Sequence, residues 1–555
     1  MKINILIIII CTISIGCKTT QEFDNILVKK AIENAELSHE SFQRSMDFTR
    51  AWLQKTDSVS GLLPSNLNNR IDLWDPANAA ADNYPFMVLT AYLLDSELLN
   101  GTLLEILNQE KSLTSRVGVL PDVYSFSKKD FNEYPINLGH VIFGASEYIK
   151  DGLIPLNELM GASPWQDRMM EMLDELFRHT DDFTELGKYF KRASSVEEIN
   201  GEMLQILSRV YWMTGMEKYL NWAIKIADHY LLEMDFSQTD YLRLRDHGCE
   251  IIGGLSELFL TLHYINHPKV DAYRSPLYRL LDRILVYGRN TDGLFYNAIN
   301  LKTQTPIDDR IADNWGYILN AYYTTWMVDQ KLEYIQAVRK PFKALNLNYR
   351  NYNWEPGAQR GPLGSHDGYA DAIESGINLL NRENDPYLRS WIDSEIKVMF
   401  GMQQPDGIVE GWHGDGNFAR TAIMYGLWKT QGARLSPWKH SLRLGAVASE
   451  KESYFVLTAQ TDWEGKLIFD PIRHKTILNL PVDYPRINQF PEWFTVDPVA
   501  NYLIMASNSK LSGTYSGAIL LEGIPIKIKE GERFIISIQR KTPLIDKRGL
   551  TKTNN

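Results

Sequence analysis

The sequence predicts a mainly α protein: an (α/α)6-7 toroid of helical hairpins followed by a small C-terminal β-sandwich domain. Three observations predict it. A polar loop with a Gly-apolar turn, a helix with small residues on one face and a more charged amphipathic helix recur in that order along most of the chain. Motifs rich in Asp, Asn, Trp or His sit in front of the small-faced helices. From Leu442 the helical period gives way to short strand-like runs.

The elements follow in order. The first residues, MKINILIIIICTISIGC, read as a secretion signal, because the apolar run is too short to span a membrane. S-I-G-C resembles a bacterial lipobox, with Ser14 where Leu is usual. Cleavage before Cys17 and lipidation of Cys17 are therefore expected. Residues 23–55 have helical spacing. Gly-apolar turns at 60–64, 117–121, 291–296 and 405–410 then punctuate the repeat. Small-faced helices are expected to begin near Asn83, Gly139, Asn200, Gly248, Asn314, Gly368 and Gly416. Charged partners are expected at 97–109, 164–179, 216–233, 271–287, 331–345 and 386–400. Glycine and alanine suit inner helices that approach closely, and one charged face suits outer helices that meet water. Six or seven hairpins fit before about Gly432. If the ring closes, the polar motifs converge on one mouth. The runs at 453–459, 465–470, 477–482, 501–507, 517–523 and 533–538 are expected strands. The domains are then a signal peptide (1–16), the toroid (17–440), the sandwich (441–545) and a tail (546–555).

Composition bounds the function. Of 555 residues 44% are hydrophobic and 23% charged, which is globular composition with length for a large core. A net charge of −11 without a basic block argues against nucleic acid. The three cysteines, Cys11, Cys17 and Cys249, make no disulfide framework and no thiolate zinc site. No metal and no cofactor is expected. Walker-type loops, G-x-S-x-G and H-E-x-x-H are absent from the sequence, so phosphoryl transfer, serine hydrolysis and zincin chemistry have no support. The 14 Trp and 28 Tyr residues are expected mostly in the core, and a minority lining a cleft would suit the stacking of sugar rings.

Five constellations carry candidate chemistry. The stretch 364–382, GSHDGYADAIESGINLLNR, gathers His366, Asp367, Tyr369, Asp371 and Glu374 around two glycines at a helix entrance. Asp367 suits an N-cap, but a cap explains one acid of several. Trp74, Asp75 and Asn83 in W-D-P-A-N-A-A-A-D-N form a sugar platform or a capped helix with buried aromatics. Arg245, His247 and Glu250 form a dense ionisable group, with Glu250 one helical turn after His247; a buried salt-bridge knot is the alternative. Asp313 and Trp315 open D-N-W-G-Y. Trp412, His413 and Arg420 lie in the Gly-rich stretch 409–420. Glu197, Asn200 and Glu202 are weaker candidates.

The lipobox, the toroid with acidic helix entrances and the C-terminal β-domain together resemble the six-hairpin glycosidase-like superfamily, in particular carbohydrate-active lipoproteins of Bacteroidetes type. D-N-W-G-Y resembles the W-G entry to an inner helix in unsaturated glucuronyl hydrolases. The resemblance implies a glycan substrate, with uronate-containing polysaccharides expected, and an exported protein anchored in the periplasm or on the outer-membrane surface. Glycoside hydrolysis needs a proton donor and a second carboxylate. Asp313 and Asp367 are the expected pair. The positive end of a helix favours an ionised Asp367 as base, and the Trp315 ring favours a protonated Asp313 as acid. A lyase on the same fold would instead use His247, His366, Tyr369 or His413 as proton-abstracting group and Arg420 against the uronate. A glycan-binding surface lipoprotein is the third reading.

Overall fold

The computed structural model describes residues 25–179, 194–355, 365–412, 414–449 and 452–541. The expected signal segment with Cys17, the tail 546–555 and His413 lie outside them, as does the side chain of His247.

Among the described residues seven inner helices form a closed ring. They are Tyr84–Leu94, Leu138–Glu147 running on into Ile154–Met160, Ser194–Thr214, Glu250–Tyr264, Trp315–Asp329, His366–Glu383 and Asp415–Lys429. Each packs on the next, and Asp415–Lys429 packs back on Tyr84–Leu94. The expected starts fall within a few residues of the observed ones, except that Ser194–Thr214 begins about two turns earlier. The outer layer is Leu104–Thr114, Pro164–Phe177, Glu217–Asp228, Lys269–Tyr287, Leu332–Arg339 with Pro341–Asn348, Pro386–Phe400, and the first helix, Asn25–Leu53. This last helix pairs with Asp415–Lys429, so the two ends of the toroid chain build its seventh hairpin. Trp52 Nε1 fastens that closure by donating to Asp415 Oδ2 at 3.0 Å.

The patterning explains the layers. Pro164–Phe177 buries Trp165, Met169, Met172, Leu173 and Leu176, a single helical stripe. Glu250–Tyr264 is buried at every position through Leu262, as a helix inside the ring must be. Small residues permit the inner contacts. A Cβ on Gly201 would lie 2.2 Å from the backbone nitrogen of Ile251, and one on Gly254 would lie 2.5 Å from the Gly201 carbonyl oxygen. These two helices touch backbone to backbone.

The C-terminal region stacks a five-stranded antiparallel sheet on a three-stranded one. The first has the order Leu442–Ala448, Ser453–Ala459, Arg533–Arg540, Asn501–Ala506, Gly513–Ser516. The second has the order Ile524–Ile528, Trp463–Ile468, Arg434–Ser436. Leu444, Phe455, Ile504 and Ile536 of one sheet share a core with Leu435, Leu467 and Ile526 of the other. The first helix carries this sandwich: Asn34 Nδ2 donates to the Ala446 carbonyl at 2.7 Å and Ser38 Oγ to that of Leu444 at 2.6 Å.

Two expected strands take other forms. Residues 517–523 contain the short helix Gly517–Glu522. The run 477–482 belongs to no strand. Between the paired segments Asp470–Pro471 and Thr495–Val496 the chain leaves the sandwich and closes the far end of the ring. Leu478, Leu480 and Tyr484 pack there against Leu260, and Ile487 and Phe490 join the toroid core. The apolar residues that imitate a strand are apolar because they plug a barrel.

Candidate active site

The inner helices present their N-terminal ends to a cavity of about 200 Å³ on the ring axis. Eight carboxyl side chains line it, against two cations, Lys150 and Arg420. Asp313 lies just before the fifth inner helix. Asp367 and Asp371 occupy adjacent turns of the sixth, and Glu250 opens the fourth. Asp82, Asp151, Asp246 and Glu355 complete the acids, with Trp412, Tyr317 and Asn417 among their neighbours.

Both cations are already engaged. Lys150 Nζ is 2.7 Å from Asp151 Oδ1 and 2.5 Å from Glu250 Oε1. Arg420 reaches Asp371 at 2.7 Å through Nη2 and Glu374 at 2.8 Å through Nε. Its Nη1 donates to Asn417 Oδ1 at 2.9 Å and to Asn488 Oδ1 at 3.0 Å. Tyr317 Oη donates to Glu374 at 2.8 Å and stands 3.1 Å from Asp371.

Of the residues singled out in the sequence, Asp313, Asp367, Glu250, Trp412 and Arg420 come together on this wall. Others do not. His366 is sealed behind it, with Nδ1 3.0 Å from Glu410 and Nε2 3.4 Å from Asp415. Burial opposes its charge, but these two carboxylates raise its pKa. Tyr369 is buried with Glu395 nearby. Trp315 packs edge-on against Trp391 in the ring core. Trp74 and Asp75 also lie off the cavity. Asp75 caps the helical turn Pro76–Asn83 through the Asn78 backbone N–H at 2.7 Å and pairs with Arg70 at 2.9 Å. Asn83 is buried in the same segment. Arg245 stands behind the wall as a positive neighbour of Asp313 and Glu355. Glu202 and Asn200 sit inside the ring, Asn200 donating to Tyr230 Oη at 2.9 Å.

Electrostatics separates the acids. Burial, then the carboxylates of Asp371 and Glu355, push Asp313 well above the usual range. The same three influences push Asp367 up to about 7, opposed by His366 and by the Asn417 amide, which donates to Oδ1 at 2.8 Å. The helix N-terminus that favours an ionised Asp367 is thus outweighed by burial among other acids. Asp313 owes its proton to these acids and to burial rather than to Trp315. The result is one carboxyl held protonated and another that ionises near neutrality, facing one cavity. Paired environments of this kind separate proton donor from proton acceptor.

Glu147, Asp151 and Glu202 bring one oxygen each within 4.8 Å of one another, a spacing that suits a divalent ion. Burial first, then neighbouring carboxylates, raise Glu147 well above its ordinary value and Glu202 to about 8, so these two glutamates keep protons at neutral pH.

Several lining residues carried little sequence signal. Lys150 and Asp151 lie inside an otherwise apolar helix. Asn488 comes from the plug, more than a hundred residues beyond Asp371.

No family model matches the sequence, and no curated protein matches it. Solved structures do. The GH76A α-1,6-mannanase of Salegentibacter sp. HEL1_6 is 11% identical, over 71% of this chain and 98% of its own, with a TM-score of 0.36. A family 76 glycoside hydrolase (mannosidase) of Bacteroides thetaiotaomicron is 10% identical over 71% and 99%, with a TM-score of 0.38. The unsaturated glucuronyl hydrolase of Bacillus sp. GL1 is 10% identical over 53% and 87%, with a TM-score of 0.36.

Proposed function

We propose that the protein is a glycoside hydrolase in which Asp313 is the general acid and Asp367 the general base. One observation carries the reading: a buried aspartate, Asp313, and a part-buried one, Asp367, share the wall of one acid-lined cavity with separated proton affinities. Asp313 gives its proton to the leaving glycosidic oxygen. Asp367, ionised above about pH 7, takes one from water. The transition state of glycosidic cleavage resembles an oxocarbenium cation. A wall with eight carboxyl groups stabilises that charge as it develops.

The same charge balance favours a neutral sugar over a uronate at this subsite. Lys150 and Arg420 each already serve two carboxylates, so neither offers a free positive charge to a uronate. Elimination gains less support for the same reason, and because, of its candidate proton-abstracting groups with described side chains, His366 and Tyr369 do not line the cavity; the side chains of His247 and His413 lie outside the described residues. A glycan-binding role alone has no use for carboxyls held protonated by burial.

The test is product analysis on a panel of neutral and uronate-containing glycans. Saturated ends from a neutral glycan are expected. Products with a UV-absorbing double bond, or binding with no cleavage anywhere on the panel, would overturn the reading.

We also propose export as a lipoprotein anchored through Cys17, with residues 17–440 as the catalytic toroid and 441–545 as the sandwich. No described helix is long and apolar enough to cross a membrane. Cys17→Ala should move the protein from the membrane fraction to the soluble one; unchanged fractionation would contradict the anchor.

A further inference from the structure

The plug does more than close the ring. Between Pro485 and Pro491 it carries Arg486, Ile487 and Asn488 up the axis until Ile487 and Asn488 form part of the cavity lining. Asn488 takes a left-handed backbone conformation, φ +59°, which asparagine tolerates better than most side chains. It is almost fully buried, and its polar groups are used in three directions. Its backbone N–H donates to Glu374 Oε1 at 2.7 Å. Its amide nitrogen donates to Asp151 Oδ1 at 2.6 Å. Its amide oxygen accepts from Arg420 Nη1 at 3.0 Å. One residue of the C-terminal region thus ties together the second, sixth and seventh inner helices.

The contact with Arg420 leads to the reaction centre. The same Nη1 also donates to Asn417 Oδ1, and Asn417 turns its amide nitrogen to Asp367 Oδ1. Arg420, held from the floor by Asn488, therefore fixes which end of the Asn417 amide faces Asp367. Without the floor contact Arg420 still has Asp371 and Glu374, both of which pull it sideways around the ring.

We infer that Asn488 is a positioning residue for Asp367, acting through Arg420 and Asn417, so that the C-terminal region completes the active site of the toroid. The inference rests on the proposed role of Asp367. It implies that the toroid alone is an incomplete enzyme, because the residue that braces its base from below arrives with the loop between two sandwich strands.

The experiment uses the full chain with Asn488→Ala, Asn488→Asp and the double variant Asn488→Asp with Asp151→Asn. In Asn488→Ala, kcat should fall on the order of 10- to 100-fold with KM nearly unchanged, the scale of a small misplacement of a reacting group. Asn488→Asp should be impaired as well, because it sets a carboxylate against Asp151. The double variant restores a donor–acceptor pair at the same place and should recover most of the rate. A second readout does not need turnover. The infrared carboxyl band that disappears in Asp367→Asn reports the ionisation of Asp367, whose charged or titratable neighbours are Asp371, Glu355 and His366. Its midpoint should rise in Asn488→Ala, because the ionised form loses its oriented amide donor.

An unchanged midpoint together with kcat within twofold of wild type would overturn the inference. If wild type cleaves no glycan, the proposed function falls, while the infrared midpoint still decides whether Asn488 acts on Asp367. If Asn488→Ala does not fold, Asn488→Asp and the double variant decide: a midpoint shifted in Asn488→Asp and returned to wild type in the double variant supports the inference, and an unshifted midpoint in Asn488→Asp opposes it.

Discussion

The two ends of the ring use the same residue types to opposite effect. At the plugged end Glu158 and Glu257 are buried and Asp483 is half-buried, and each meets arginine. Arg209 reaches Glu257 at 2.8 Å and Glu158 at 3.5 Å, and Arg486 reaches Asp483 at 3.1 Å. Tyr484 Oη adds a bond to Glu257 at 3.0 Å. Against the cost of burial, Arg382 and Arg486 hold Asp483 below its ordinary value. At the mouth, acids outnumber cations and Asp313 and Asp367 move up instead. Matched charges at one end hold the fold together. Unmatched acids at the other retain or exchange protons. The difference lies in the local ratio of arginine to carboxylate, since burial is common to both.

The largest expected effect separates the ends directly. Asp367→Asn should reduce the rate on the order of 10²- to 10⁴-fold, the scale for one general acid–base group. It should not reduce stability at neutral pH. Asp367 has a folded value of about 7 against an ordinary 3.8, so the unfolded chain releases this proton at lower pH than the folded one. The resulting cost to the fold grows between those two values and is constant above them. Asn removes the cost, and thermal unfolding at pH 8 should show an equal or higher midpoint than wild type. A fully active variant would move the mechanism elsewhere on the wall.

The opposite pattern is expected at the plugged end. Glu257→Leu leaves Arg209 with only part of its compensation and Tyr484 without its acceptor. Breaking a buried pair of this kind costs about 3–5 kcal/mol. Denaturant unfolding should show that loss, while activity per folded molecule stays within a few-fold of wild type. A variant that kept its stability but lost activity would reverse the assignment of the two ends. The smallest effect is expected at Trp412, the aromatic on the cavity wall. Trp412→Ala should raise KM about tenfold with little change in kcat, since ring stacking is worth about 0.5–1.5 kcal/mol beyond the area it covers.

How much of this the sequence carried depends on the range of each contact. The hairpins were legible because inner and outer helices differ along one local period, and the polar entrances were legible because they recur at the same phase. Convergence of Asp313, Asp367, Glu250, Trp412 and Arg420 then follows from closure of the ring. The entrance at 74–83 has the same composition, but its Asp75 serves as a cap, and only the packing of Arg70 and Asn78 around it tells the two uses apart. His366 looked catalytic from its neighbours in sequence. It is held behind the wall because Glu410 and Asp415, more than forty residues away, close on it from both sides. The plug was the least legible element. Leu478, Leu480 and Val482 have strand-like spacing, and nothing local in that run says that its partner is the inside of a ring.

The central claim is that Asp313 and Asp367 divide the proton work between them because their surroundings hold them at different affinities. The most direct measurement is the pH dependence of kcat/KM for wild type on the best neutral substrate. The account predicts a rising limb centred near pH 7, where Asp367 ionises, and a fall at higher pH as Asp313 loses its proton. The rising limb should be absent from the residual activity of Asp367→Asn. A wild-type rising limb near pH 4, the ordinary range for an exposed aspartate, or a limb that persists in Asp367→Asn, would contradict it.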